Sequence, residues 1–210
     1  MHILMSKNSN ETLKRKIKRY AEISNVGEIS RRYFVMNAFD GALTLLGVVI
    51  GAYIANIRSP LSIISAGVAG SLAMGVSGVS GAYMTEKAER LKQLKTLEKA
   101  MLKNLRNSIQ YRSYRFATLM AALVDGLSPA LAGISVISPF FMVHLGFLTF
   151  ENAFFYSIGI TLVVLFSLGG YLAKISDENV IAYGLQMLAV GVITAALAIL
   201  VSIALGGTIV

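Results

Sequence analysis

The sequence predicts an all-helical integral membrane protein with five transmembrane helices. Of its 210 residues, 55% are hydrophobic and only 14% are charged, which is typical of a membrane protein rather than a soluble domain. The apolar residues form continuous runs of about 20 residues, the length that crosses a bilayer as a helix, and they do not alternate as in a transmembrane β-barrel. The five predicted spans are residues 34–56, 60–84, 116–142, 150–173 and 182–206.

The basic residues predict how these spans are oriented. The chain has 19 Lys and Arg against 11 Asp and Glu, and eight of the 19 precede residue 34 while nine lie within residues 85–115. Because positively charged loops stay in the cytoplasm, the N-terminus and the segment between spans 2 and 3 are predicted to be inside, and the C-terminus outside. The net charge of +8 is therefore explained by topology, and no nucleic-acid partner is predicted.

Four segments follow from this pattern. They are a basic cytoplasmic N-terminal segment, spans 1 and 2, a helical cytoplasmic linker, and spans 3 to 5, which correspond to residues 1–33, 34–84, 85–115 and 116–210. Within the first segment, apolar and basic residues separate onto different faces of a helix from about residue 11 to residue 23. Such a helix either lies on an anionic lipid surface or caps the linker by packing against it.

Span 1 contains the first conspicuous polar residue, Asp40, which is the only carboxylate in its apolar run. A charge inside a bilayer costs about 3 kcal/mol on insertion scales, so a sequence that carries one usually uses it. Asn37, Gly41 and Thr44 share a helical face with Asp40 at about 100° per residue. The sequence therefore predicts a helix whose protein-facing side holds an acid.

Span 2 has an unusually small face on which Met74 is the one large residue. A thioether is a soft ligand that can select a transition metal over Ca²⁺ or Mg²⁺. The alternative is a packing role, since methionine fills gaps readily. Both interpretations stay open at this point.

Span 3 carries a second acid, Asp125, four residues before Pro129. Because proline has no N–H, the backbone carbonyl of Asp125 loses its helical partner. A free carbonyl beside a carboxylate makes an oxygen-rich position, which is tolerated at membrane depth only where it faces protein or a wet cavity. We therefore expect Asp125 to face protein or water near Asp40.

Glu86 and Glu89 lie one helical turn apart at the predicted cytoplasmic end of span 2. They are candidates to receive a cation there. The alternative is that each pairs with a neighbouring base in water, such as Lys87, Arg90 or Lys92. The absence of cysteine from the chain excludes thiolate metal sites and disulfides.

These motifs resemble those of the vacuolar iron transporter family, and the chain is similar to its prokaryotic-type members. Asn37-Ala38-Phe39-Asp40-Gly41, followed by Thr44, is like the family's Asn-x-x-Asp-Gly-x-x-Thr, and Ala73-Met74-Gly75 lies in a similar setting in span 2. The resemblance implies a homodimer that moves Fe²⁺, and often Mn²⁺, out of the cytoplasm in exchange for protons. By motif position it makes Asp40 and Met74 membrane metal ligands, whereas the short basic linker departs from the acidic cytoplasmic domain of eukaryotic members.

The leading hypothesis is thus a proton-coupled transporter of Fe²⁺ or Mn²⁺ that needs no prosthetic group. The alternatives are a transporter of another small cation and a non-transporting membrane scaffold or sensor. An enzyme is not predicted, because neither His2 nor His144 lies near an acid pair and no nucleophile constellation occurs. The expected partners are the metal ion, the lipid bilayer and a second copy, in the plasma membrane if the source is prokaryotic. The candidate metal ligands are Asn37, Asp40, Met74, Glu86, Glu89 and Asp125.

Overall fold

The structure is a computed structural model that describes residues 15–106 and 108–206. These residues form six helices, of which the first, α1, covers residues 15–24. The others are α2 (Val26–Ile54), α3 (Pro60–Met101), α4 (Ile109–His144), α5 (Phe150–Ser176) and α6 (Val180–Ala204). Within the described ranges, the five helices α2 to α6 are each long and apolar enough to cross a membrane, which confirms the five predicted spans.

The segment between spans 2 and 3, predicted as a helical linker, is mostly helical in the structure. Helix α3 continues without a break to Met101, and α4 already begins at Ile109, so most of residues 85–115 extend the two spanning helices. The turn between them starts at Leu102, which has a positive φ of 50°. A carboxylate oxygen of Glu98 accepts the backbone N–H of Leu105 at 2.8 Å, which stabilises this turn.

The chain divides into two compact units. The first unit comprises Met1–Phe34 and Ser77–Asp125, and the second comprises Val35–Val76 and Gly126–Val210. The division falls within α2, α3 and α4, so each of these helices contributes residues to both units.

The core of the second unit is an apolar cluster to which four helices contribute. Its largest members, each at most 2% exposed, are Leu45 on α2, Ile63 on α3, Ile137 and Phe140 on α4, and Leu165 on α5. A smaller cluster of α2 residues packs against α5 and α6. Helix α2 therefore takes part in both clusters of this unit, and Asp40 lies on this helix.

Two helices of the second unit touch through their backbones at Gly41. A Cβ atom added there would lie 2.6 Å from Cα of Pro129 on α4 and against its carbonyl oxygen. Gly47 and Gly51, four residues apart on α2, form a small-residue pattern that permits close helix approach in membranes. Within the described chain, however, no neighbouring helix packs closely against them. A Cβ at Gly47 would meet nothing within 4 Å, and one at Gly51 would meet only Oγ of Ser202 at 3.8 Å.

In the first unit, α1 packs against neighbouring helices. The rings of Tyr20 and Phe116 lie 6.2 Å apart between centroids, and the carbonyl of Ser24 accepts a hydrogen bond from Nη1 of Arg90 at 3.4 Å. The basic side chains of α1 are exposed. These contacts favour the predicted cap over a helix held by lipid alone, while residues 11–14 of the predicted helix lie outside the described residues.

Candidate metal-transport site

Asp40 lies within the apolar part of α2, and its side chain is exposed in the single chain. Its motif neighbours differ from it, because Asn37 is half-buried and Gly41 is buried against Pro129. The motif thus combines a helix contact at Gly41 with an accessible carboxylate at the preceding residue. This arrangement can present Asp40 to an ion while the backbone beside it is held by α4.

Met74 is half-buried on α3 and packs against the apolar core of the second unit. This position agrees with the packing role that was its alternative interpretation. The next residue, Gly75, lies close to α4, where an added Cβ would be 3.3 Å from the carbonyl oxygen of Gly126. The ligand role of Met74 stays a prediction.

Asp125 is buried, with only 8% of its surface exposed. It interacts electrostatically with Tyr33 in the same unit, and Pro129 follows it inside α4, as expected. Asp125 therefore faces protein rather than lipid, in agreement with the cost of a lipid-facing acid. Asp40 belongs to the other unit, so the proximity of the two acids stays a prediction.

Glu86 is held in a largely buried polar network of the first unit. It pairs with Arg90, whose Nε lies 3.1 Å from Oε2, and the two side chains are 11% and 6% exposed respectively. The hydroxyl of Tyr33 donates to Oε1 of Glu86 at 3.2 Å. The sequence analysis gave pairing with a neighbouring base such as Arg90 as the alternative to a cation site at Glu86. The structure contains this ion pair, but the pair is buried rather than exposed to water.

Glu89 has different surroundings from Glu86. It is exposed, and its Oε1 accepts a hydrogen bond from Nε2 of Gln93 at 3.4 Å. Within residues 15–106 and 108–206, no three or more His, Cys, Asp or Glu residues come together as a group that could hold a metal ion. The two glutamates thus remain three residues apart on α3 but differ in burial and in hydrogen-bond partners.

Sequence reasoning missed Tyr33 as part of the site and gave Arg90 only as one of several partners for Glu86. The spacing of four residues between Glu86 and Arg90 is the helical distance for an ion pair, so this partner was available from the sequence. Tyr33 is 53 residues away from Glu86. Only the packing of α2 against α3 in this unit brings the hydroxyl and the carboxylate together.

The fold and the polar residues define the class of this protein. It is a helical, multi-pass integral membrane protein with carboxylates on its spanning helices. The model of the VIT family matches residues 90–203. An uncharacterized protein of Methanocaldococcus jannaschii is 35% identical over 166 residues, which cover 78% of this chain and 83% of that protein. The chain belongs to the VIT family, as a member of prokaryotic type.

This assignment confirms the resemblance to vacuolar iron transporters that the motifs indicated. The VIT family is a transporter family rather than an enzyme family, and it makes the chain a membrane metal-ion transporter. The matched region contains Asp125, whereas Asp40 and Met74 precede it. The roles of the latter two therefore depend on their motifs and on their positions in the structure.

Proposed function

We propose that this protein is a proton-coupled transporter that carries Fe²⁺, and also Mn²⁺, out of the cytoplasm. The observation that supports this most directly is the exposed carboxylate of Asp40 on an apolar helix of a metal-transporter family member. A carboxylate that faced lipid at this depth would cost about 3 kcal/mol or more. Asp40 is therefore favoured where a metal ion, water or another protein surface covers it.

The proposed membrane ligands are the carboxylate of Asp40, the amide oxygen of Asn37 and the thioether of Met74. Oxygen ligands suit hard or borderline divalent ions, and sulfur shifts the preference toward Fe²⁺ over Mg²⁺. Asp40 carries a proton back when the metal has left, which couples the two fluxes. Asp125, which is buried, is proposed as a second proton-carrying group.

Glu86 and Glu89, near the predicted cytoplasmic end of span 2, have different roles in this proposal. Glu89 is exposed and forms no ion pair within residues 15–106 and 108–206, so it can receive an arriving cation without losing such a partner. Glu86 is bound by Arg90 at 3.1 Å, so a cation there has to compete with the guanidinium. Glu89 is therefore the first contact on the cytoplasmic side, and Glu86 takes part only when the Arg90 pair opens.

We further propose that a second copy of the chain covers the exposed face of the metal path. Glycines at 47, 70 and 81 leave open space where a Cβ would point, and such small residues permit close helix approach in membranes. Large apolar residues that follow Gly70 along α3 are also exposed, namely Leu72, Val76 and Val79. In a homodimer, two copies of Asp40 and Met74 surround one path, in the plasma membrane of a prokaryotic cell.

Replacing Asp40 by Asn tests the proposed function directly. The change keeps the size of the side chain but removes both the charge and the proton carrier, so we expect uptake of Fe²⁺ and of Mn²⁺ into proteoliposomes to fall to the level of empty vesicles. An internal pH dye reports the opposing proton flux, which should disappear as well.

The matched control is Glu178→Gln, which removes one carboxylate from an exposed position between α5 and α6 and should transport normally. If Asp40→Asn moves Fe²⁺ at the native rate, the metal site lies elsewhere. If the unaltered protein moves a monovalent cation against protons but no divalent metal, the alternative of another small-cation transporter is correct.

Met74→Leu tests the thioether in the same assay. The substitution approximately conserves volume, and such exchanges usually cost less than about 1.5 kcal/mol in a core, so the protein should fold. We expect transport to persist with a reduced preference for Fe²⁺ over Mg²⁺, because only the sulfur is lost. An unchanged ratio of the two uptake rates would leave Met74 with its packing role alone.

A further inference from the structure

A cavity of about 370 Å³ lies in the first unit between the second half of α3 and the beginning of α4. This volume is within the range of about 300–1,000 Å³ that is typical of small-molecule sites. Three cations and three phenols line it, namely Lys87, Arg90, Arg115, Tyr83, Tyr111 and Tyr114. No Asp or Glu is among the described residues that line it, so the chemistry of the cavity favours an anion.

Arg90 supplies the sharpest indication of a ligand. Its side chain is 6% exposed, its Nε is paired with Glu86, and its Nη1 donates to the carbonyl of Ser24. The remaining nitrogen, Nη2, is buried and has no hydrogen-bond partner among residues 15–106 and 108–206. A buried donor without an acceptor is unfavourable, and Arg90 lines the cavity, so an anion there lies beside the guanidinium that carries this donor.

The other two cations are accessible. Lys87 and Arg115 are both exposed, and Nζ of Lys87 lies 5.5 Å from the centre of the Tyr83 ring. The guanidinium of Arg90 lies at 5.4 Å from the centre of the Tyr114 ring. Glu86 neutralises one of the three positive charges through its pair with Arg90, so the cavity and its immediate surroundings keep a net charge of about +2.

The cavity lies at the level where the apolar segments of both helices end. The predicted spans finish near residue 84 on α3 and begin near residue 116 on α4, and the lining residues straddle these positions. Tyrosine is enriched at the membrane–water interface. The exposed Leu91 and Leu119 also line the cavity, so its wall combines apolar and cationic surface.

We infer that this cavity binds the phosphate group of an anionic phospholipid. Lys87 and Arg115 attract the headgroup, the guanidinium of Arg90 adds positive charge to the cavity wall, and Leu91 and Leu119 contact the glycerol and the first part of the acyl chains. Basic pockets between membrane helices at the interface recognise anionic lipids in this way. The inference does not depend on which metal the protein carries or on whether it transports one.

The test uses the full chain, purified in detergent, with its unfolding temperature followed as lipid is added. The probes are phosphatidylglycerol, phosphatidylcholine, and inorganic phosphate as the soluble source of the same group. The double variant Lys87→Gln/Arg115→Gln removes the two accessible cations. Its matched control, Lys95→Gln/Arg112→Gln, removes two exposed cations from the same two helices that are not among the residues that line the cavity.

We expect phosphatidylglycerol to raise the unfolding temperature of the unaltered protein more than phosphatidylcholine does. The double variant should need about 30-fold more phosphatidylglycerol for half of the effect, because each cation near an anionic headgroup contributes about fivefold in affinity. The control variant should stay within about twofold of the unaltered protein. The single variants Lys87→Gln and Arg115→Gln give the same comparison if the double variant is poorly folded.

Three results would overturn the proposal. An equal loss in the control variant would show that general surface charge attracts the lipid. An unchanged double variant would show that the lipid binds elsewhere. Equal stabilisation by inorganic phosphate, at the same concentration and ionic strength, would identify a soluble phosphate rather than a lipid as the ligand.

Discussion

At the scale of single residues, the two aspartates within the predicted spans differ in solvent exposure. Asp40 is exposed in the single chain, whereas Asp125 is 8% exposed. An exposed carboxylate can exchange ligands with solvent or with a passing ion. A buried one is held by its surroundings, and a change of its charge has to be compensated by the protein around it. This difference favours Asp40 as the metal ligand and Asp125 as a proton-carrying group.

Asp125→Asn separates these two roles. Asparagine keeps the shape of the side chain and one of its acceptor oxygens, so we expect the protein to fold with an unfolding temperature near that of the native chain. Fe²⁺ uptake into proteoliposomes should be strongly reduced, and its dependence on the pH gradient should be lost, because the residue no longer takes up a proton. If Asp125→Leu transports Fe²⁺ at the native rate with the native pH dependence, Asp125 has no part in transport.

At the scale of secondary-structure elements, the contact of α2 with α4 in the second unit is made at Gly41, the residue next to Asp40. Gly41 brings the α2 backbone against Pro129, the residue that also interrupts the hydrogen bonding of α4. A similar contact joins α5 to α6, where a Cβ at Gly169 would lie 2.8 Å from Cα of Gly184. These two close helix contacts thus occur at Gly41 and Gly169 rather than at Gly47 and Gly51.

Gly41→Ala should therefore destabilise the protein, whereas Gly47→Ala on the same helix should not. The added methyl group at residue 41 would lie 2.8 Å from the carbonyl carbon of Pro129, and backbone cannot move aside as a side chain can. We expect a loss of about 1–3 kcal/mol, as for other overpacked sites, measured as a lower unfolding midpoint in detergent.

Gly47→Ala is the matched control, because nothing described lies within 4 Å of its added Cβ. It should be neutral or slightly stabilising in the monomeric chain, since alanine favours helix over glycine by about 1 kcal/mol. Equal midpoints for the two variants would show that the α2–α4 contact is looser than the structure describes. A loss of dimer with Gly47→Ala, at an unchanged midpoint, would place this face in the proposed interface.

At the scale of the whole molecule, the distribution of charge predicts the orientation in the membrane. The described ends of the helices agree with the predicted loops, since α2 ends at Ile54 and α3 begins at Pro60, while α4 ends at His144 and α5 begins at Phe150. Arg58 lies in the first of these loops and pairs with Glu151 at 3.6 Å. The other predicted side contains nearly all of the basic residues, which the positive-inside rule places in the cytoplasm.

Single cysteines test this orientation, because the chain has none of its own. We expect Ser59→Cys to react with an impermeant thiol reagent in intact cells and Thr96→Cys to react only after the cells are opened. Both positions are exposed in the structure, so accessibility within the protein does not bias the comparison. Labelling of Thr96→Cys from outside, with Ser59→Cys protected, would reverse the predicted topology.

The sequence by itself determined the five spans and the class of protein. Whether a run of residues can cross a bilayer depends on its length and apolarity, and both are local properties of the chain. The motif around Asp40 likewise identified the family, because its residues are consecutive or one helical turn apart. The helical pattern of residues 85–115 was also read locally, although only the structure shows that α3 continues into it as far as Met101.

The tertiary structure alone decided which polar groups are buried and which partners they have. Exposure of Asp40, burial of Asp125 and the Tyr33–Glu86–Arg90 network depend on contacts between residues far apart in the chain. The same holds for the contact of Gly41 with Pro129 and the open space at Gly47, which look alike in sequence. Helical periodicity shows which residues share a face, but the neighbouring helix that meets this face is set by the packing of the whole chain.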